Sequence, residues 1–344
     1  MLNDEEKNIY LTVLNALNDF AEEINLSDAK ITEESAGKII SYIKIDHPEI
    51  FWYRHGATFY FDSETHIVNR IRFVYCMSRD EAQTRKKKVD TIVDIFMNSL
   101  SDDMSEYEVA LSAYEDIIKL VDYDTIGLER QSGKNESPEV PDDLRSIYGV
   151  FINRKAVCSG YAKAYQYLIN QCGIECAYVT SDTHAWNLVK LEGDYYHLDV
   201  TWGDSSDTKN GKNQNETVNY DCFCMTTEEV LRLDSHKPDN TVPIPNCTAT
   251  RCNYHRRNGL YFDSYDYERV KNAACKYVGK GKTDVSFKFG SEAVYKLAKK
   301  SLIDNDEIRK IITQINSSQT VKFSPNYSYA TRDDRWTVVF FLKK

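Results

Sequence analysis

A helical pattern gives way to β-rich segments within a few residues in the middle of this chain, and that switch limits its fold more than any other feature. After Cys158 the sequence reads Ser-Gly-Tyr-Ala-Lys-Ala-Tyr-Gln-Tyr-Leu-Ile-Asn-Gln-Cys-Gly, and Ala162, Tyr165, Leu168, Ile169 and Cys172 recur at helical spacing. Gly173 is a natural stop just beyond them. The spacing predicts a helix of about four turns with Cys158 in its first turn. Ile174 to Thr180 is then a β-rich run, His184 to Leu191 a second, and Tyr195 to Val200 a third, with Glu192-Gly193-Asp194 as a hairpin turn. A helix followed by antiparallel strands, with helical and extended segments on either side, points to the α+β class.

Three side chains in this stretch fit one kind of chemistry. The unpaired N–H groups and positive dipole end of a first helical turn favour a thiolate at Cys158, and the same N–H groups suit an oxyanion. His184 and Asp199 fall on neighbouring strands joined by a tight turn, where cross-strand residues touch. A carboxylate there would fix the imidazole tautomer and stabilise the imidazolium. Taken singly, a cysteine on an apolar helix is more often core than nucleophile, and a lone histidine in a strand is more often structural. Three separate elements carrying the three residue types weaken that plain reading.

The segment from about Ser146 to Asp204 resembles the transglutaminase-like superfamily, particularly its bacterial members. The resemblance rests on Val157-Cys158-Ser159-Gly160-Tyr161-Ala162-Lys163-Ala164, Gly173-Ile174-Glu175-Cys176, His184-Ala185-Trp186-Asn187 and Tyr196-His197-Leu198-Asp199-Val200-Thr201-Trp202. Tyr148-Gly149 upstream and Asp221-Cys222-Phe223 to His236 downstream are also similar. It implies a papain-like core with Cys158 as nucleophile, His184 as base and Asp199 as orienter. The loop before the histidine, Ser181-Asp182-Thr183, departs from the family in being short and free of glycine, which bears on the shape of the cleft. The implied activity is acyl transfer on a protein or peptide substrate through a thioester, resolved by water or by an amine, with no metal or organic cofactor required. Trp186 and Trp202 are candidate cleft walls, and Tyr148 and Asn153 are candidates by position for the second oxyanion donor. The alternative is a catalytically silent binding or scaffold protein on the same fold.

The rest of the chain narrows the setting. A net charge of −10 argues against a general nucleic-acid-binding face. The start, Met1-Leu-Asn-Asp-Glu-Glu-Lys, shows no signal peptide and no apolar run approaches a membrane span, so a cytoplasmic location is expected unless the N-terminus is processed. Nine cysteines without a framework spacing fit a reducing compartment. Cys222, Cys224, Cys247 and Cys252 lack paired Cys-x-x-Cys knuckles and do not read as a zinc site.

Three regions are expected: an N-terminal α/β region over 1–104, a transglutaminase-like catalytic domain over 105–236 and a C-terminal α/β region over 247–344. Tyr10, Val13, Leu14, Leu17, Phe20 and Ile24 mark a first helix, and Ala57–Phe61 with Ile67–Cys76 a hairpin. Ser105 to Glu108 is a capping box. Polar stretches at 130–143 and 203–217 read as loops, either flanking a cleft or plain surface excursions, and His236 to Asn246, with three prolines, reads as a linker. Toward the end, Tyr267–Val278 is expected as helix, and Asp284–Phe289, Val321–Phe323 and Trp336–Leu342 as strands.

Overall fold

The structure, a computed structural model, describes residues 2–125, 142–205, 218–239 and 243–343, without the side chains of 54, 55 and 142. The expected cleft loops fall largely outside the described residues. Internal contacts divide the chain into two units, one of residues 1–179 with 185–187, the other of 180–184 with 188–344.

In the first unit, helix α1 (Asp4–Asn18) starts at a capping box between Asn3 and Glu6. It ends earlier than the apolar stripe predicts. Phe20 takes a left-handed turn (φ 52°) and stacks on Trp52 and Tyr75, and Ile24 enters strand β1 (Glu23–Asn25). Helix α2 (Glu33–Asp46) buries Ile39, Ile40 and Ile43. Strands β2 (Tyr53–Phe61) and β3 (Val68–Tyr75) form the expected hairpin, whose turn is tied by Asp62 Oδ1 accepting the N–H groups of Glu64 and Thr65. The antiparallel sheet runs β1-β3-β2. Helix α3 (Arg79–Ser99) follows, then α4 (Glu106–Leu120), whose Ser105–Glu108 capping box is present as expected.

Strand β4 (Asp122–Tyr123) pairs in parallel with β5 (Lys155–Ala156), which delivers the chain to α5 (Cys158–Gln171). Tyr161 and Tyr165 of α5 are fully buried, and their hydroxyls donate to the carbonyls of Val121 and Ala110. Gly160 is required here: a Cβ would stand 2.5 Å from the Leu144 carbonyl oxygen and 2.8 Å from Ala156 Cβ. Gly173, at φ +76°, terminates the helix as its position predicts.

Strand β6 (Cys176–Thr180), strand β7 (Ala185–Leu191), within which the division between the units falls, and strand β8 (Asp194–Leu198) follow in the chain. Glu192 (φ 52°) and Gly193 (φ 89°) form the turn into β8, the two positive angles of a tight hairpin. In the second unit, β8 runs into the short helix α6 (Val200–Gly203), capped by Asp199. Helix α7 (Thr227–Leu231) carries a Thr226–Glu229 capping box.

Beyond it, α8 (Tyr254–Arg257), β9 (Tyr261–Phe262), α9 (Tyr267–Val278), β10 (Asp284–Phe289), α10 (Glu292–Lys299), α11 (Glu307–Ser318), β11 (Tyr327–Arg332) and β12 (Thr337–Leu342) enclose an apolar core that includes Val270, Val285, Phe287, Ile311 and Phe340. The sheet order is β11-β12-β10-β9. Val321–Phe323 is not a strand. Asn316 holds Phe323 by its N–H and its carbonyl, and the strand forms instead at the more polar Tyr327–Arg332. Two acids, Asp221 fully buried and Glu229 partly so, tie this sheet to the preceding segments: Glu229 pairs with Lys288 of β10 at 2.8 Å, and Asp221 accepts from Arg332 at 3.1 Å and Thr337 at 2.9 Å. Among the described residues no helix is long and apolar enough to cross a membrane.

Candidate functional site

The three expected centre residues divide between the units, Cys158 in the first and His184 and Asp199 in the second. Cys158 is the first residue of α5, half-buried, and packs with Ile45 against Ala162, Tyr178 and Ala185. Trp186 is wholly buried. Tyr148 lies beneath the Arg85 guanidinium, and Asn153 donates to Asp143, which Arg85 grips through both carboxylate oxygens at 3.1 Å. Tyr148 and Asn153 therefore brace the segment that leads into α5.

His184 and Asp199 meet, each one residue outside its strand. His184 Nε2 stands 2.7 Å from Asp199 Oδ2, and the carboxylate has no solvent exposure. Oδ1 accepts the Trp202 N–H at 3.0 Å, the capping bond of α6. A third residue joins them. His236 Nε2 also stands 2.7 Å from Oδ2, and its Nδ1 is 3.0 Å from the Ser235 hydroxyl. Ser181 Oγ donates to the Ser235 carbonyl at 2.7 Å and accepts the His184 N–H at 3.0 Å, so the contacts close into a ring around the pair. Burial alone would raise the Asp199 carboxyl, but the two imidazoles outweigh it and hold the group well below the usual carboxylate range. Trp202 is edge-on to His236 at 4.8 Å and 6.0 Å from His184, with the Arg335 guanidinium 4.6 Å from its ring.

His236 corrects the expectation of a linker beginning at that residue: the side chain is fully buried. Nothing in its spacing marks it, because its partner Asp199 is 37 positions earlier. His184, Asp199 and His236 also form the one group among the described residues whose donor atoms converge like a metal set, within 4.8 Å. The distances favour hydrogen bonds. Ligands of a tetrahedral ion bound at about 2.0–2.1 Å stand roughly 3.3 Å apart, whereas both nitrogens here are 2.7 Å from one oxygen, the length of a charge-assisted bond. Among the described residues Cys222, Cys224, Cys247 and Cys252 do not converge, and all nine cysteines are free thiols.

Residues 94–200 match the profile of the Transglutaminase-like superfamily, so the chain carries a domain of that superfamily. The matched span contains Cys158, His184 and Asp199, and His236 lies beyond it. Kyphoscoliosis peptidase of Mus musculus and that of Homo sapiens are each 32% identical to this chain over 104 residues, which is 25% of this chain and 15% of theirs. The chain thus spans about 15% of the length of these curated relatives. A solved structure described as a crystal structure of a TGase is similar over 46% of each chain, at 10% identity and a TM-score of 0.31.

Proposed function

We propose that this chain is a cysteine-dependent acyl-transfer enzyme acting on peptide or amide substrates, with Cys158 as nucleophile, His184 as base and Asp199 as orienter, in a module spanning 105–236. The observation that carries this reading is the buried Asp199 carboxyl 2.7 Å from His184 Nε2, the support an imidazole needs to act as general base in acyl transfer. The position of Cys158 at the head of a 14-residue helix supports it. So does Ala185, the chain neighbour of His184, which belongs to the apolar cluster that Cys158 packs against.

In the proposed reaction the Cys158 thiolate adds to the amide carbonyl carbon and the carbonyl electron pair moves onto oxygen. N–H groups of the first turn of α5 stabilise that oxyanion. Collapse of the intermediate breaks the C–N bond, the departing amine takes a proton from the His184 imidazolium, and a thioester remains. Water, giving one proton to His184, then adds to the thioester; collapse breaks the C–S bond, restores the thiolate beside the imidazolium and releases a carboxylic acid, which loses its proton to solvent. An amine in place of water would give a new amide. The relatives' name, peptidase, favours water. With Nε2 engaged by Asp199, Nδ1 is the atom that exchanges the proton. His236 holds Asp199 from the other side, and Trp202 forms a wall of the cleft.

The test is the iodoacetamide alkylation rate of each thiol against pH, by intact mass and peptide mapping, in the wild type and in His184→Ala. Cys158 is expected to react faster than the other eight thiols and to slow at neutral pH when His184 is lost. A Cys158 indistinguishable from the other thiols, or indifferent to His184, would overturn the assignment in favour of a silent binding protein.

A further inference from the structure

The first unit contains a cavity of about 200 Å³ between the end of α2, the start of β2 and the face of α5. Its lining includes the buried apolar Ile50 and Phe51 and the cations Lys44, Arg145 and Lys163. Three cations around one small cavity stand out in a chain of net charge −10. His47, a further lining residue, is already matched by Glu49 at 2.8 Å, and nearby Asp46 accepts from the Tyr10 hydroxyl. Among the described residues neither Lys44 nor Arg145 has a carboxylate within ion-pair distance, and Lys44 instead lies over the Tyr53 ring at 5.5 Å. Burial pushes the Lys44 ammonium below its ordinary value, with no acid to offset it. A bound anion would supply that offset.

We propose that this cavity is a subsite for an acidic side chain of a peptide substrate, glutamate in particular, held by Lys44 and Arg145 with its methylenes against Phe51 and Ile50. Size points to a side chain: pockets for whole small molecules run to about 300–1,000 Å³. Location points to a peptide held near the thiol. Lys163 belongs to the helix that Cys158 opens, and Ile45, the chain neighbour of Lys44, packs against the same apolar cluster as Cys158. The substrate assignment rests on the acyl-transfer reading above, but the recognition itself can be tested without turnover.

The experiment titrates the full chain carrying Cys158→Ala with the probe peptides Ac-Ala-Glu-Phe-NH₂ and Ac-Ala-Gln-Phe-NH₂, followed by calorimetry and by chemical-shift changes at the Lys44 and Arg145 side chains. The glutamate peptide is expected to bind at least about tenfold more tightly at low salt, with the difference shrinking as ionic strength rises. Arg145→Glu, at an exposed position, and Lys44→Met should each reduce that preference, and circular dichroism of each variant shows whether it is folded. Equal affinity for the two peptides, or a preference that survives Arg145→Glu, overturns the proposal. A glutamate preference in a protein whose Cys158 proves inert would leave the subsite standing and remove the acyl-transfer reading. A reactive Cys158 with no such preference would do the reverse.

Discussion

Asp199→Asn is the sharpest single perturbation of the site, because it preserves shape and changes only charge and proton bookkeeping. The wild-type carboxylate accepts from Trp202 N–H through Oδ1 and faces both imidazoles through Oδ2, all within 3.0 Å. An asparagine amide has one acceptor and one donor end. If its oxygen faces the histidines, its NH₂ confronts the Trp202 N–H. If its NH₂ faces them, His184 must present a bare Nε2, which moves the ring proton to Nδ1, where the mechanism needs an acceptor. Removing one partner from a buried ionic contact costs about 3–5 kcal/mol, so a clear drop in the urea midpoint is expected. Loss of the carboxylate beside an imidazolium is worth about 1–3 pKa units, so Cys158 alkylation at neutral pH should slow by about 10- to 1,000-fold, with the far-UV spectrum retained. An Asp199→Asn protein that alkylates at the wild-type rate and unfolds at the wild-type urea concentration would show that the carboxylate neither orients nor charges His184.

Two further outcomes follow from the packing and the buried histidines. Gly160→Ala gains roughly 1 kcal/mol of helix propensity. Its Cβ meets the Leu144 carbonyl at 2.5 Å, which cannot yield as a side chain would, so overpacking of about 3 kcal/mol should leave a net loss near 2 kcal/mol and a disturbed Cys158 two residues away; an unchanged melting temperature would refute this. Burial lowers His197 and His255 to about 4, from an ordinary value of 6.5. The unfolded chain therefore binds more protons between those two values, so stability present above pH 6.5 is lost as the pH falls toward 4, by up to about 3 kcal/mol per histidine. Urea titrations at pH 7, 5.5 and 4.5 with a constant midpoint would contradict it.

Elements with strong local signals are legible in the sequence itself. Helix α5 and its glycine stop, the Glu192-Gly193 turn, helix α9 and strand β10 each carry a clean period or a cap, and each forms where the pattern places it. Phe20 and Ile24 continue an apolar stripe past the end of α1, and only their packing against Trp52, Tyr75 and β3 shows that the chain has turned. Strand β11, Tyr-Ser-Tyr-Ala-Thr-Arg, has little apolar alternation and is specified by its partner β12. The pairing of His184 with Asp199 was readable from hairpin geometry. The Lys288–Glu229 pair and the place of His236 were not, because such contacts join residues far apart in sequence and leave no local period.

The ring around Asp199 also sets an order in time. The carboxylate and His184 are made within 15 residues of each other, but the second imidazole follows 37 residues after Asp199. At a synthesis rate of about 5–20 residues per second, that interval lasts roughly 2–7 s. Throughout it, a nascent chain already contains Cys158, His184 and Asp199, with Asp199 short of one of its two imidazole partners. The finished ring is thus a late event of biogenesis, and a fragment ending at the edge of the matched superfamily span would stay at the unfinished stage.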